Sequence, residues 1–498
     1  MPEAADQPSK PLRINKPVKR ATVLGDVSSQ LIVQLAMRFI MGVTGILLAR
    51  HLSASDYGLL GTAIAFAGFA NYFTDMGFNP VLVREAAAAD FERRRKLIWT
   101  SVRSRLMLTA LVTTISFIAV GFISRDPNLV ALVRALLLLT AASGMLINWV
   151  EGTMAGTEQV VTAGYLRFLH ACAQSAATLA IVLINGSLTQ YVIFQGIANW
   201  FIVIVSLIWV FRHFPYTSAM DRSVLNGIGV FSAAGVYFVF ANQMLPYAII
   251  SNFMSDEKIG WYRAGATLAV VLYAIPGGIA NAMYTRLCRA WQEDRQEHTH
   301  LAVRSLWIGS VICGLIGVGL SVGSAGVIQI LFSNKFPEQT IFTLSWIGIV
   351  PLLQSLSLPL GDAMASSSQF KTRTWLLFGY VIGGAVLCYF LPLRWGVEGT
   401  AVAGVAMEVL LVGLYLSFTR PKLRNQAVTV IGTQSVLVFG SILIGVLLRI
   451  PLEPWLGRTA GSLSAALIAV GLYGGLILVI NTEIRQFVVR WIGKVLGR

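Results

Sequence analysis

The chain has 498 residues and a formal net charge of +15, yet only 12% of its residues are charged and 56% are hydrophobic. Soluble domains carry about 25% charged residues, and a mean hydropathy of +0.70 points the same way. A soluble enzyme is thereby excluded. The apolar runs are about 20 residues long, which suits membrane-crossing helices and not the shorter strands of a barrel. The excess positive charge lies in loops between those runs, where topology collects it, so it does not mark a nucleic-acid partner.

In chain order, residues 1–26 form a polar, basic tail with no small-residue cleavage site, expected to stay on the cytoplasmic side. Fourteen spans are expected, at 27–50, 59–83, 98–123, 129–151, 160–184, 188–211, 227–253, 262–285, 304–325, 339–365, 374–392, 398–419, 427–450 and 460–481. Short connections make neighbouring spans antiparallel. With the N-terminus inside, the tails and even-numbered loops hold 28 of the 38 Lys and Arg residues and the opposite side holds eight. The seven between Arg84 and Arg105 are counted with the inside loops. Both termini are therefore expected in the cytoplasm.

A weak repeat divides the chain. Asp56-Tyr57-Gly58 before span 2 matches Lys258-Ile259-Gly260 before span 8, and Glu151 to Gln159 after span 4 matches Gly361 to Gln369 after span 10. Six spans separate the copies, so the halves share one orientation. The expected fold is all-α and polytopic, with two six-helix lobes, 27–211 and 227–419, in parallel pseudo-repeat. An appended helix pair, 427–481, and a cytoplasmic tail, 482–498, complete it.

Polar residues inside spans are costly in lipid, so they must face protein or a wet cavity. Gln30, Gln34 and Arg38 recur every four residues and share one stripe of span 1. Asn71, Asp75 and Asn79 do the same in span 2, which leaves two readings for Arg38, a cavity lining or a clamp on Asp75. Span 5 carries Arg167, His170 and Gln174 on one face; span 7 carries Asn242 and Gln243; Arg263 opens span 8. Gln354 and Asp362 lie in span 10 and Glu408 in span 12. Arg134, Arg167, Glu151 and Asp362, near span ends, also suit snorkelling or capping. The run Arg93-Arg94-Arg95-Lys96 reads as a topology signal and lipid contact. Trp99, Trp149, Trp200, Trp291, Trp395 and Trp455 fit interface belts.

Other patterns carry no chemistry. Gly319-Leu320-Ser321-Val322-Gly323 has the spacing of a nucleophile elbow but lies inside an apolar helix, where its glycines mark a close helix contact. His298 and His300 lack a zinc-binding pattern, the four cysteines lack a paired spacing, and no phosphate-binding loop occurs. No metal or cofactor is expected, and no enzymatic activity.

The run from Leu48 to Leu59, the run Asp75-Met76-Gly77-Phe78-Asn79-Pro80 through Glu85, and Ile259-Gly260-Trp261-Tyr262-Arg263-Ala264-Gly265 resemble the junctions of Wzx-type polysaccharide flippases. Those proteins belong to the multidrug/oligosaccharidyl-lipid/polysaccharide (MOP) exporter superfamily. The resemblance implies a V-shaped, MATE-like pair of lobes in the bacterial inner membrane. It implies an undecaprenyl-diphosphate-linked oligosaccharide as substrate, for exopolysaccharide, capsule or O-antigen. Its partners would be membrane lipid, a polysaccharide polymerase and a chain-length regulator. On this reading Arg38, Arg263, Arg50 and Arg84 bind the diphosphate. Gln30, Gln34, Asn71, Asn242, Gln243 and Gln354 face the sugar, and Asp75, Asp362 and Glu408 serve ion coupling. The competing readings are a MATE-like drug or metabolite antiporter, a lipid II flippase and a membrane-embedded glycan polymerase or ligase.

Overall fold

The computed structural model describes residues 20–75, 78–124, 126–157, 159–221, 245–333 and 335–480, with the single positions 237 and 485. Among these there are helices and turns and no strand. The first half contains α1 (Arg20–His51), α2 (Ala54–Asp75), α3 (Phe78–Ala88), α4 (Phe91–Ile123), α5 (Pro127–Leu136), α6 (Ala142–Gly156), α7 (Val160–Leu183) and α8 (Leu188–His213). The second contains α9 (Leu245–Ile250), α10 (Asp256–Leu272), α11 (Ala274–Glu293), α12 (Arg295–Phe332), α13 (Glu338–Ile347), α14 (Val350–Ala365) and α15 (Phe370–Phe418). The helices α16 (Pro421–Leu456) and α17 (Arg458–Ile480) follow.

Helices lie at every expected span except the seventh, 227–253, of which only Tyr237, α9 and residues 251–253 fall within the described residues. Nine helical segments among the described residues are long and apolar enough to cross a membrane. Boundaries differ from expectation for local reasons. Spans 11 and 12 are joined in α15 across Gly396, whose φ of 60° is open to glycine and disfavoured for other residues. Span 4 carries one π-helical turn, Leu137–Ala141, between α5 and α6. Helix starts follow their caps: Asp90 accepts from Arg93 N at 2.8 Å, and Ser187 and Gln190 form a capping box at α8.

The repeat is visible in the backbone. Gln159 and Gln369, at equivalent places in the two copies, are the N-cap residues of α7 and α15, with similar φ values of −92° and −90°. One apolar core fills the first half, built on Leu82, Leu97, Trp99, Trp149 and Val210. Another fills the second, built on Leu360, Leu377, Tyr380, Leu411 and Tyr415. A third contains residues of both halves, from Leu48 and Tyr57 to Ala264 and Phe332. It lies where α1, α4 and α12 end and α2, α5, α8, α10 and α13 begin.

The appended pair packs on α12. Small residues let the backbones approach, as between membrane helices generally. Gly445 faces Val322 and Ala469, and Gly326 faces Ser462 and Leu463. Ser462 Oγ accepts from Gly326 N at 2.8 Å, and Tyr473 donates to Gln434 Oε1 at 2.6 Å across the pair. The Gly319–Gly323 stretch is helical, and Gly323 lies against Ala466, so its glycines serve packing as expected.

A Cβ built on Gly326 meets Leu463 Cγ and Ser462 Oγ at 2.7 Å. Gly326→Leu is therefore expected to destabilise the protein by about 1–3 kcal/mol, the usual range for overpacking. A lowered thermal midpoint in detergent, against an unchanged midpoint for Gly432→Leu, checks this; Gly432 has open space around it.

Candidate functional site

Helices α2 and α10 cross at their first turns, and the crossing brings the two halves together. A Cβ on Gly58 would overlap the Asp256 carbonyl, and a Cβ on Gly260 would overlap the Ala54 carbonyl. These are the glycines of the repeated tripeptide, so each half supplies the same residue to the same contact. Only a hydrogen in place of a side chain permits two backbones this close.

One turn further on, Arg263 of α10 donates to the Tyr57 carbonyl at 2.9 Å, and its guanidinium carbon lies 4.4 Å from the centre of the Tyr57 ring. Tyr57 and Thr267 share a hydroxyl hydrogen bond of 2.9 Å. Gly61 leaves room for the Arg263 stem, which lies 2.8 Å from a Cβ built there.

Two further cations cross between the halves at this end. Arg50, in the last turn of α1, donates through Nη2 to Ile330 O at 2.7 Å and through Nε to Leu331 O, near the end of α12. Lys335, just past α12, donates to Ala49 O at 3.0 Å, to Arg50 O at 2.6 Å and to Leu52 O. Each half thus caps the C-terminus of a helix in the other. A cation on helix C-terminal carbonyls stabilises by about 0.3–1 kcal/mol when exposed and up to about 2 when partly buried. Burial lowers the pKa of Lys335. At the same end burial raises the pKa of Asp256, helped by the negative charges of Asp126 and Asp56.

Arg38 lies further along α1. Positions 38, 42, 45 and 49 share one helix face. A Cβ built on Gly42 of that face would lie 3.1 Å from Val271, and one on Gly45 3.8 Å from Thr267, both on α10. Ala49 is buried. Arg38 is exposed on the same face, one turn beyond the last of these contacts and on the side away from the closed end. The structure thus places Arg38 on the line that faces the other half. The side chains of Gln30, Gln34, Asn71, Asp75 and Arg84, and all of Asn242 and Gln243, lie outside the described residues.

Several polar groups within each half are paired. Arg167 and Glu151 form an ion pair of 2.7 Å. Asn199 Oδ1 lies 2.9 Å from His170 Nε2 and accepts from Gln174 Nε2 at 3.1 Å. In the second half, Glu408 is fully buried; its Oε1 accepts from Gln354 Nε2 at 3.0 Å and Ser357 Oγ lies 3.5 Å from Oε2. Gln354, read as a cavity residue, is thus buried against Glu408 in this conformation. Asp362 is half-buried near the end of α14.

Sequence reading missed several contributors. Arg105, counted as a loop cation, is fully buried in α4 and donates to Asn79 Oδ1 at 2.7 Å. Arg105 falls within the expected span 98–123, and that position is the signal that it belongs to the helix. Arg94 and Arg103, also in the basic stretch, donate to carbonyls of 86 and 89 and of 217–219, so they tie turns together.

These features describe an all-α fold of two halves joined at one end. The fold is similar to that of the lipid II flippase MurJ in an inward closed conformation, with a TM-score of 0.71 at 12% identity, covering 91% of this chain and 98% of that one. It is also similar to an inward-facing multidrug resistance MATE family transporter, with a TM-score of 0.62 at 12% identity, covering 81% and 99%. A curated relative from Shigella flexneri, named "Putative O-antigen transporter", is 22% identical over 394 residues, which is 74% of this chain and 91% of the relative. A family model described as polysaccharide biosynthesis protein matches residues 47–341, and the chain belongs to that family. The resemblance to Wzx-type flippases is borne out.

The glycine crossing makes a direct prediction. Gly58→Val and Gly260→Val should each hold the halves apart. In a background where Cys172, Cys288, Cys313 and Cys388 are replaced by Ala, a cysteine at the buried position Leu60 should react at least ~10-fold faster with a maleimide. Arg50→Met with Lys335→Met should give a smaller increase in the same assay, because the glycine crossing remains.

Proposed function

We propose that this protein turns an undecaprenyl-diphosphate-linked oligosaccharide from the cytoplasmic to the periplasmic leaflet of the bacterial inner membrane by alternating access. The observation that supports it most is the position of Arg38, an exposed cation on the interlobe line of α1, beyond the contacts that join the halves. A guanidinium presents a fixed fork of donors that matches phosphate oxygens. The closed end contains the junctions that the Lys/Arg asymmetry assigns to the periplasm, so this conformation is open or opening toward the cytoplasm.

In this reading Arg263 has two partners in turn. With the closed end shut it stacks on Tyr57 and binds its carbonyl. When α2 and α10 part, its donors become free for the substrate diphosphate, with Arg50 and Arg84 at the two mouths. Gln30, Gln34, Asn71, Asn242 and Gln243 offer neutral donors and acceptors to sugar hydroxyls. Glu408, buried with only neutral partners among the described residues, is the proposed site of proton or cation coupling, with Asp75 and Asp362 as further carriers. A polymerase and a chain-length regulator would take the product on the far side.

The test is export in a strain lacking the native gene. Arg38→Ala should lower surface glycan at least ~10-fold, the effect of losing about 1.4 kcal/mol of phosphate binding, with lipid-linked precursor accumulating inside. Arg38→Lys should recover part of the rate. Full export by Arg38→Ala at matched protein levels would overturn the role of Arg38. Accumulation of the cell-wall precursor in the deletion strain would overturn the choice of substrate in favour of lipid II.

A further inference from the structure

A second cationic site lies in the C-terminal half, away from the interlobe contact. Helix α11 ends at Glu293 and α12 begins at Arg295, so the chain turns sharply there. Trp291 stands one turn before this corner, half-buried. The guanidinium carbon of Arg420 lies 3.8 Å from the Trp291 ring centre, and that of Arg295 lies 4.7 Å from it. Two guanidiniums on one indole repel each other. Each cation–π contact returns only about 0.5–1 kcal/mol at an exposed site.

Among the described residues, neither Arg295 nor Arg420 has a salt-bridge partner. None of the carboxylates at this corner pairs with either guanidinium. Glu293 lies 4.0 Å from Arg289, Asp294 caps α12 by accepting from Gln296 N at 2.7 Å, and Glu297 is exposed. The pair is held in place from behind. His298, 4% exposed, meets the edge of Trp291 at 5.2 Å and is 2.9 Å from Ser366 Oγ. Arg420 is itself the N-cap of α16, a helix with no acidic residue in its first turn and no side-chain cap. Its pKa is lowered by burial and by Arg295, as expected for a cation that lacks a counter-charge.

The surroundings choose the kind of anion. Phe418, two residues before Arg420, is 52% exposed, and Gln369 Nε2 donates to its carbonyl at 2.8 Å, which draws in the start of α15, where Trp375 is 72% exposed. The cations therefore stand beside an apolar surface and an indole at a span end, the boundary where headgroups lie. We propose that Arg295, Arg420 and Trp291 bind the phosphate of an anionic phospholipid. The guanidiniums donate to the phosphate oxygens, the indole keeps them side by side, and the acyl chains run along the apolar face at Phe418.

The test is lipid retention by the full-length protein, read by native mass spectrometry after exchange into detergent with phosphatidylglycerol or phosphatidylcholine. Wild type should retain phosphatidylglycerol at least ~10-fold more strongly than phosphatidylcholine. Arg295→Gln, at an exposed position that the fold tolerates, should lose part of that preference, and Arg295→Gln with Arg420→Gln should lose most of it. Arg212→Gln, a basic residue at the end of α8, should change nothing. Unaltered phosphatidylglycerol retention in both Gln variants would overturn the proposal. So would equal retention of the two lipids by wild type, or full displacement by millimolar inorganic phosphate, which would mark a site for soluble anions.

Discussion

The approach of two helix backbones at Gly58 and Gly260 governs how the halves meet. A Cβ at either position would overlap a carbonyl of the opposite helix, so the crossing exists only because both copies of the repeat end in glycine. Everything else at that end is fitted around the crossing. Tyr57 precedes Gly58 and presents its ring and carbonyl to Arg263. Arg50 and Lys335 reach across because α1 and α12 end at the same level. A larger residue at either glycine would move all of these groups by more than the reach of a hydrogen bond.

The ionisable groups follow a division of labour set by the low dielectric of the membrane interior. Several within a half are paired or hydrogen-bonded to neighbours: Glu151 with Arg167, Glu408 with Gln354, Arg105 with Asn79. Leaving such groups buried and unpaired is strongly destabilising, so these contacts keep each half rigid as a unit. The groups at the boundary between halves bind main-chain carbonyls instead, or stand exposed as Arg38 does. The likeness in fold to MurJ and to the MATE transporter fits that division.

Much of this was legible in the sequence. Twenty-residue apolar runs fixed the helices, and the two repeated fragments fixed the parallel halves, down to Gln159 and Gln369 as matching N-caps. The small-residue spacing at Gly319 and Gly323 indicated a packed helix face. What stayed hidden depended on the third dimension. Arg263 reads as a free cation because the sequence does not show which helix it will meet. Arg105 is tallied with the inside cations although it falls within span 98–123, because a charge count does not show that α4 runs from Phe91 through the whole basic stretch and buries it. Lys335 sits in a short turn, where nothing in its neighbours suggests three carbonyl acceptors. Gln354 reads as a cavity group because its partner is 54 residues away.

The reciprocal caps have an evolutionary corollary. Among the described residues, every hydrogen-bond acceptor of Arg50, Lys335 and Arg263 is a main-chain oxygen, at Ile330, Leu331, Ala49, Arg50, Leu52 and Tyr57. Any residue supplies that oxygen, so these hydrogen bonds do not themselves select the side chains at the receiving positions. The latch is thus carried by three cations and two glycines, and the chain that receives them contributes only its backbone.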